Sequence, residues 1–306
     1  MSSVIQSSAL SASIADSHCS PFAIIVVIQQ VGGIKLFSKL DQKAVHDAAI
    51  DCIALGAIIS AAAAIGAVDP YERRKTKAAA QSLLRFVLAA GLTAFAICAL
   101  TLIFFGTIHA LLATAFGLAT LMAIIVSRRV GIGPWGTVAF AITIVAAVVS
   151  MIAMEPRVLT LDLTLSFASA SGPESLVPIT QQILNDGNWA GSGAGTFGAL
   201  VPIYRDIDRS VAGSAAPTAA AAIAVELGRP ALWFAVIAAF VALLVLLRGT
   251  LSRGRDSFYP AAGAGCLVTA ALLAFCNAGA LNTSTSIIVA TTVGIAIVHS
   301  KSRTAS

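Results

Sequence analysis

Seven uninterrupted apolar stretches of near-constant length constrain this chain more than any other feature: Ala48 to Val68, Leu83 to Phe105, Ile108 to Val126, Trp135 to Met154, Pro230 to Leu247, Pro260 to Ala278 and Leu281 to Val298. Each is close to the roughly 20 residues that carry an α-helix across a ~30 Å hydrocarbon layer. Only helices and closed barrels satisfy their own backbone in lipid, and stretches this long read as helices. Composition agrees: 58% of the 306 residues are hydrophobic and 11% are charged, against roughly a quarter charged in a soluble domain. The sequence predicts an all-α, polytopic integral membrane bundle of seven or eight transmembrane helices with one long extracytoplasmic loop. The eighth candidate, Pro21 to Phe37, is interrupted by Gln29-Gln30 and Gly32-Gly33 and reads equally as a span or an interfacial helix.

Charge sets the orientation. Arg73, Arg74, Lys75 and Lys77 follow the first span, Arg128 and Arg129 the third, Arg248, Arg253 and Arg255 the fifth, and Lys301 and Arg303 the last. Every second connection is therefore basic, as short cytoplasmic loops are. Gly106-Thr107 and 277–280 carry no charge, and Glu155 to Arg229 holds seven acids against four bases. Those connections are expected outside. The resulting organisation is an N-terminal segment (1–47), four spans (48–154), the outward loop (155–229), three spans (230–298) and a cytoplasmic tail (299–306). The first twenty residues lack the basic start and small-residue cleavage site of a signal peptide, so insertion is expected to rely on the mature helices.

Several function classes are excluded. The net charge of +5 sits in short clusters between apolar blocks without aromatic interleaving, which argues against nucleic acid. Cys52, Cys98, Cys266 and Cys276 lie inside apolar stretches with no metal-ligand spacing, so they read as small buried hydrophobes and no metal is implied. A transporter would show paired broken helices and charges at the midplane, and neither is evident. Asp51 is the exception within a span, a functional candidate by default, although its place three residues into the span favours interfacial solvation. Ala61 to Ala64 suit close helix packing, and Trp135 and Trp233 suit the aromatic belt.

The outward loop holds most of the informative polar residues. Val158 to Leu165 alternates, as a short strand or extended segment does. Gly172-Pro173-Glu174-Ser175 reads as a turn into a helix, with Pro178 early and Ile179, Ile183 and Leu184 on one face, ending near Asn185-Asp186-Gly187. Trp189 and the run Gly191-Ser192-Gly193-Ala194-Gly195-Thr196-Phe197 follow, then Pro202-Ile203-Tyr204-Arg205. Alternate glycines permit close backbone approach, yet Gly191, Gly193 and Gly195 match neither GxGxxG nor a Walker A loop.

This order of Trp189, glycine turn, Pro-x-Tyr-Arg and an Ala-rich helix ending in Glu226-Leu227-Gly228 resembles the long periplasmic loop of O-antigen ligases and polymerases, and the resemblance runs roughly from Leu83 to Arg303. It implies a multi-pass protein of the bacterial cytoplasmic (inner) membrane that moves glycans from undecaprenyl pyrophosphate, with that lipid-linked glycan, membrane lipid and the envelope polysaccharide machinery as partners and no cofactor. A departing pyrophosphate needs bidentate cationic donors, and an acceptor hydroxyl needs a base or an orienting group. The resemblance thus points to Arg205 and His109 as catalytic candidates, and to Trp189, Gly191, Gly193, Gly195, Arg209 and Arg229 as substrate-binding ones. Departures are equally specific: Pro217 and Thr218 stand where the family has His-Asn, and Ile108-His109 stands where it often has Arg-Gly. Several of the family's N-terminal helices are expected to be missing. The alternative reading is a non-catalytic relative that binds lipid-linked glycan or partners a full-length enzyme.

Overall fold

The computed structural model describes residues 42–68, 78–130, 176–204, 216–252 and 258–301. These form α1 (Gln42–Val68), α2 (Ala78–Phe105), α3 (Ile108–Val130), α4 (Val177–Asp186), α5 (Phe197–Tyr204), α6 (Ala219–Glu226), α7 (Arg229–Ser252), α8 (Phe258–Cys276), a single 3₁₀ turn (Gly279–Leu281) and α9 (Thr283–Lys301). The described residues are helical without strands. Six of the helices (α1, α2, α3, α7, α8 and α9) are long and apolar enough to cross a membrane, and they coincide with six of the seven expected spans. The protein is a helical membrane protein. Trp135 to Met154, Pro21 to Phe37 and the alternating stretch Val158 to Leu165 lie outside the described residues.

Helix ends follow local chemistry. α2 stops at Phe105, where the Gly106 amide donates to the Leu102 carbonyl (2.8 Å), and Thr107 Oγ1 accepts from the Ala110 amide (3.3 Å) to cap α3. Two spans are thereby joined by two residues. Polar side chains within the spans are satisfied by their own helix: the hydroxyls of Thr101, Thr114 and Thr120 donate to the carbonyls four residues earlier at 2.7–2.8 Å.

The bundle is organised around α1 and α8, which pack against each other antiparallel; α1 also runs antiparallel to α2, and α8 antiparallel to α3, α7 and α9. Small residues set the spacing. A Cβ on Gly91 of α2 would lie 3.2 Å from the Ser60 carbonyl and the Ala64 amide of α1, the close approach that Ala61 to Ala64 permit. A Cβ on Gly117 of α3 would collide with Thr269 Oγ1 and Ile58 Cδ1, and Thr269 Oγ1 donates across the seam to the Ala113 carbonyl (3.4 Å). Cys52, Cys98 and Cys266 are buried, as expected of small hydrophobes.

The antiparallel packing sorts the helix ends. The starts of α1, α3, α7 and α9 and the ends of α2 and α8 gather at one end. The other end collects the ends of α1, α3, α7 and α9, with Arg128 and Arg129 in the last turns of α3, Arg248 in α7 and Lys301 closing α9. The helix ends that flank the basic connections expected on one side therefore share one end of the bundle. The helices α4, α5 and α6 form a small cap on the opposite end, attached where the Ala219 amide donates to the Asn277 carbonyl (2.8 Å).

Candidate functional site

The cap has an apolar core of its own. Val177, Ile183 and Leu184 from α4, Phe197 and Val201 from α5, and Ala221, Ala224 and Val225 from α6 bury together, with Leu232 of α7 packed against them. Helix α4 begins where the sequence placed it, with proline in its first turn and Val177, Thr180, Ile183 and Leu184 buried; Ile179, expected on the same face, is half-buried. Helix α6 starts at Thr218, whose Oγ1 accepts from the Ala221 amide (3.0 Å). At the position where the resembled family carries asparagine, threonine serves as a helix cap.

The glycine run is a backbone seam. Residues 188–197 lie along 225–229: the amides of Ser192 and Gly193 donate to the carbonyls of Val225 and Glu226 (both 2.9 Å), and the Arg229 amide donates to the Trp189 carbonyl (3.2 Å). Gly191 and Gly228 face each other with φ of 86° and 92°. A Cβ on Gly191 would lie 2.5 Å from the Glu226 carbonyl, and one on Gly228 2.6 Å from the Ala190 carbonyl carbon. No other residue fits there without displacing backbone. Gly193 and Gly195 also hold positive φ, but a Cβ on Gly195 would meet open space. The Glu226 carboxylate accepts from the Phe197 amide (3.4 Å) and so sits at the positive end of α5.

The seam shapes a cleft of about 390 Å³ lined by Asn185, Asn188, Trp189, Ser192, Tyr204 and Arg229 over an apolar floor that includes Leu184 and Val225. Trp189 is 66% exposed, an indole face left open beside amide side chains. Arg229 is pinned at the first turn of α7, its guanidinium donating to the Leu184 carbonyl (3.3 Å). The Ser192 hydroxyl bonds Thr196 Oγ1 (2.7 Å) and the Val225 carbonyl (2.9 Å), and Tyr204 closes α5 at the rim.

The candidates divide accordingly. Trp189 and Arg229 meet in the cleft, and Gly191 builds its wall while Gly193 and Gly195 continue the turn. His109 is half-buried in the first turn of α3, at the same end of the bundle as the cap. Arg205 and Arg209 lie outside the described residues, directly beyond Tyr204. Asn185, Asn188, Ser192 and Tyr204 are additions to the site: the sequence marked Asn185 at a helix terminus, Ser192 in the glycine run and Tyr204 in the Pro-x-Tyr-Arg segment, without a binding role. Among the described residues no group of acids, histidines and cysteines is arranged to hold a metal ion.

Asp51 departs from expectation. Instead of facing an aqueous interface it is fully buried, with Oδ1 accepting from the Asn277 amide (2.8 Å). Its partner comes from the turn between α8 and α9, which no local reading of α1 brings near. Comparison with known protein families, curated proteins and solved structures finds no match for this chain.

Proposed function

We propose that this chain is a multi-pass protein of the bacterial cytoplasmic membrane, with its cap on the periplasmic side, that transfers glycan from undecaprenyl pyrophosphate in the manner of O-antigen ligases and polysaccharide polymerases. The observation that carries the reading is the cap cleft, in which an exposed indole, two carboxamides, two hydroxyls and a guanidinium converge at the bundle end opposite the basic ends of α3, α7 and α9. Indole faces stack on sugar rings, and carboxamides bond hydroxyls from both sides. A lipid-linked glycan presents such a headgroup at the membrane surface while its tail stays among the spans.

In this reading Arg229 orients the headgroup from the foot of α7, and Arg205 with Arg209, which follow α5 in sequence, holds the pyrophosphate as charge develops on it. His109 supplies the base for the acceptor hydroxyl. Topology supports the same orientation. Helix α3 ends at the basic end and α4 lies at the cap end, which supports a reading with an odd number of crossings between them.

A specific feature favours the second reading, a relative that binds lipid-linked glycan without transferring it: among the described residues no histidine, aspartate or glutamate lines the cleft. Deleting the gene in its host and running lipopolysaccharide and secreted polysaccharide on gels separates the two. Transfer predicts loss of long-chain glycan, restored by the wild-type gene and not by Arg205→Ala or Trp189→Ala. Unchanged glycan in every strain contradicts transfer.

A further inference from the structure

Where the cap meets the bundle, α1 carries a carboxylate that has half of its hydrogen bonding. Asp51 is fully buried, its Oδ1 accepts from Asn277 Nδ2 at 2.8 Å, and Oδ2 has no hydrogen-bond partner among the described residues. The Gly279 backbone closes over it so tightly that a Cβ there would lie 2.5 Å from Oδ2 and 2.9 Å from the Asp47 carbonyl. Asn277 is committed on every side: its amide group donates to Asp51, its Oδ1 accepts from the Gly279 amide (2.9 Å), and its backbone carbonyl accepts from Ala219, the first residue of α6 in the cap. The side chain in the bundle and the seat of the cap thus share one residue.

The surroundings offer this carboxylate no countercharge among the described residues. On α1 itself Asp47 lies one turn earlier and adds a second negative group. His46 is five residues back, on a different face, and Lys43 is eight residues back, about 12 Å along the axis. Helix α8 presents Cys276 and its own C-terminus, the negative end of a helix dipole. Helix α9 presents Thr285, whose hydroxyl meets Cys52 Sγ at 3.8 Å. Helix α2 has no charged residue beyond Arg85, α3 brings His109 in its first turn, and the charged residue of α6, Glu226, sits at its far end against α5. A bare carboxylate in such a place costs far more than a single amide bond returns, so the group neutralises or takes up a cation.

From this geometry we infer that Asp51 is a buried proton-binding site, occupied as the neutral carboxylic acid when the cap is seated on the bundle. Proton uptake forms an Oδ2–H bond and removes the charge, leaving Oδ1 to accept from Asn277 while Asn277 holds Ala219. The inference is independent of what the cleft binds.

Infrared spectroscopy of the purified full chain in lipid nanodiscs tests it. The expected result is a protonated-carboxyl carbonyl band at neutral pH that shifts in D₂O and is absent from Asp51→Asn, which keeps the wild-type melting temperature because an amide replaces a neutral acid of the same shape. Should Asp51→Asn fail to accumulate, Asn277→Ala in ¹³C-aspartate-labelled protein gives the reading instead, since the band must move with the label and shift again when the Asn277 donor to Asp51 is removed. Only ionised carboxylate bands, or an unlabelled band that survives Asp51→Asn, overturns the proposal. So does a wild-type melting temperature that rises with sodium but not with choline at equal ionic strength and loses that response in Asp51→Asn, which would make the occupant an alkali cation.

Discussion

Helices α1 and α7 are almost equally apolar and meet opposite environments. The most apolar window of α1 has a mean hydropathy of 2.1 and is 83% buried within the protein, whereas that of α7 has 2.7 and is 6% buried. Hydropathy alone ranks them the wrong way round for burial. What separates them is side-chain size and polarity. Helix α1 presents Ala54, Ala57, Ser60 and Ala62 to its neighbours and hides Asp51, while α7 turns Trp233, Phe234, Ile237 and Phe240 outward. Lipid tails are as apolar as leucine, so helices in a membrane associate through close packing and polar contacts rather than through the hydrophobic effect. The small and polar helix goes to the centre, and the bulky one lies on the outer face of the described bundle.

Truncation tests that division most strongly at the centre. Ile58→Ala, at a side chain wedged beside Gly117 and Gly265, is expected to cost about 2–5 kcal/mol, read as a fall in melting temperature in a mild detergent. Phe240→Ala on the outer face of α7 is expected to stay within about 0.5 kcal/mol. Equal losses at the two positions would mean that α7 is covered by protein rather than lipid.

The cap offers a second contrast of smaller size. Gly191→Ala forces a side chain into the Glu226 carbonyl at a positive φ and is expected to cost roughly 3 kcal/mol, loosening the cap so that limited proteolysis cuts it near residue 190. Gly195→Ala has the same backbone handicap but open space around it, so a cost of about 1 kcal/mol is expected. If both are equally mild, the seam between 188–197 and 225–229 does not hold the cap together.

Most of the membrane architecture was legible because lipid imposes a length and a composition that a single sequence displays. All six described spans lie within a few residues of the apolar stretches, and Pro178 with the Ile183-Leu184 pair announced α4 correctly. The glycine run announced close approach but not its partner. Gly191 is fixed by Gly228, which belongs to the Glu-Leu-Gly end of α6, and only the fold brings the two together. Asp51 was misplaced for the same reason: depth in a span says nothing of Asn277, 226 residues away in sequence. The cleft was half legible, through Trp189 and Arg229, because Asn185 and Asn188 carry no motif of their own and the Pro-x-Tyr-Arg segment drew attention to Arg205 rather than Tyr204.

The account stands on the cap and the basic connections occupying opposite sides of the membrane. Labelling with a membrane-impermeant maleimide measures this directly, with cysteine placed at Asn188 in the cap or at Arg253 between α7 and α8, and the unsubstituted chain as the background. Asn188→Cys is predicted to label in intact spheroplasts and Arg253→Cys only after the membrane is opened. Labelling of both positions from one side, or the reverse pattern, would contradict the account.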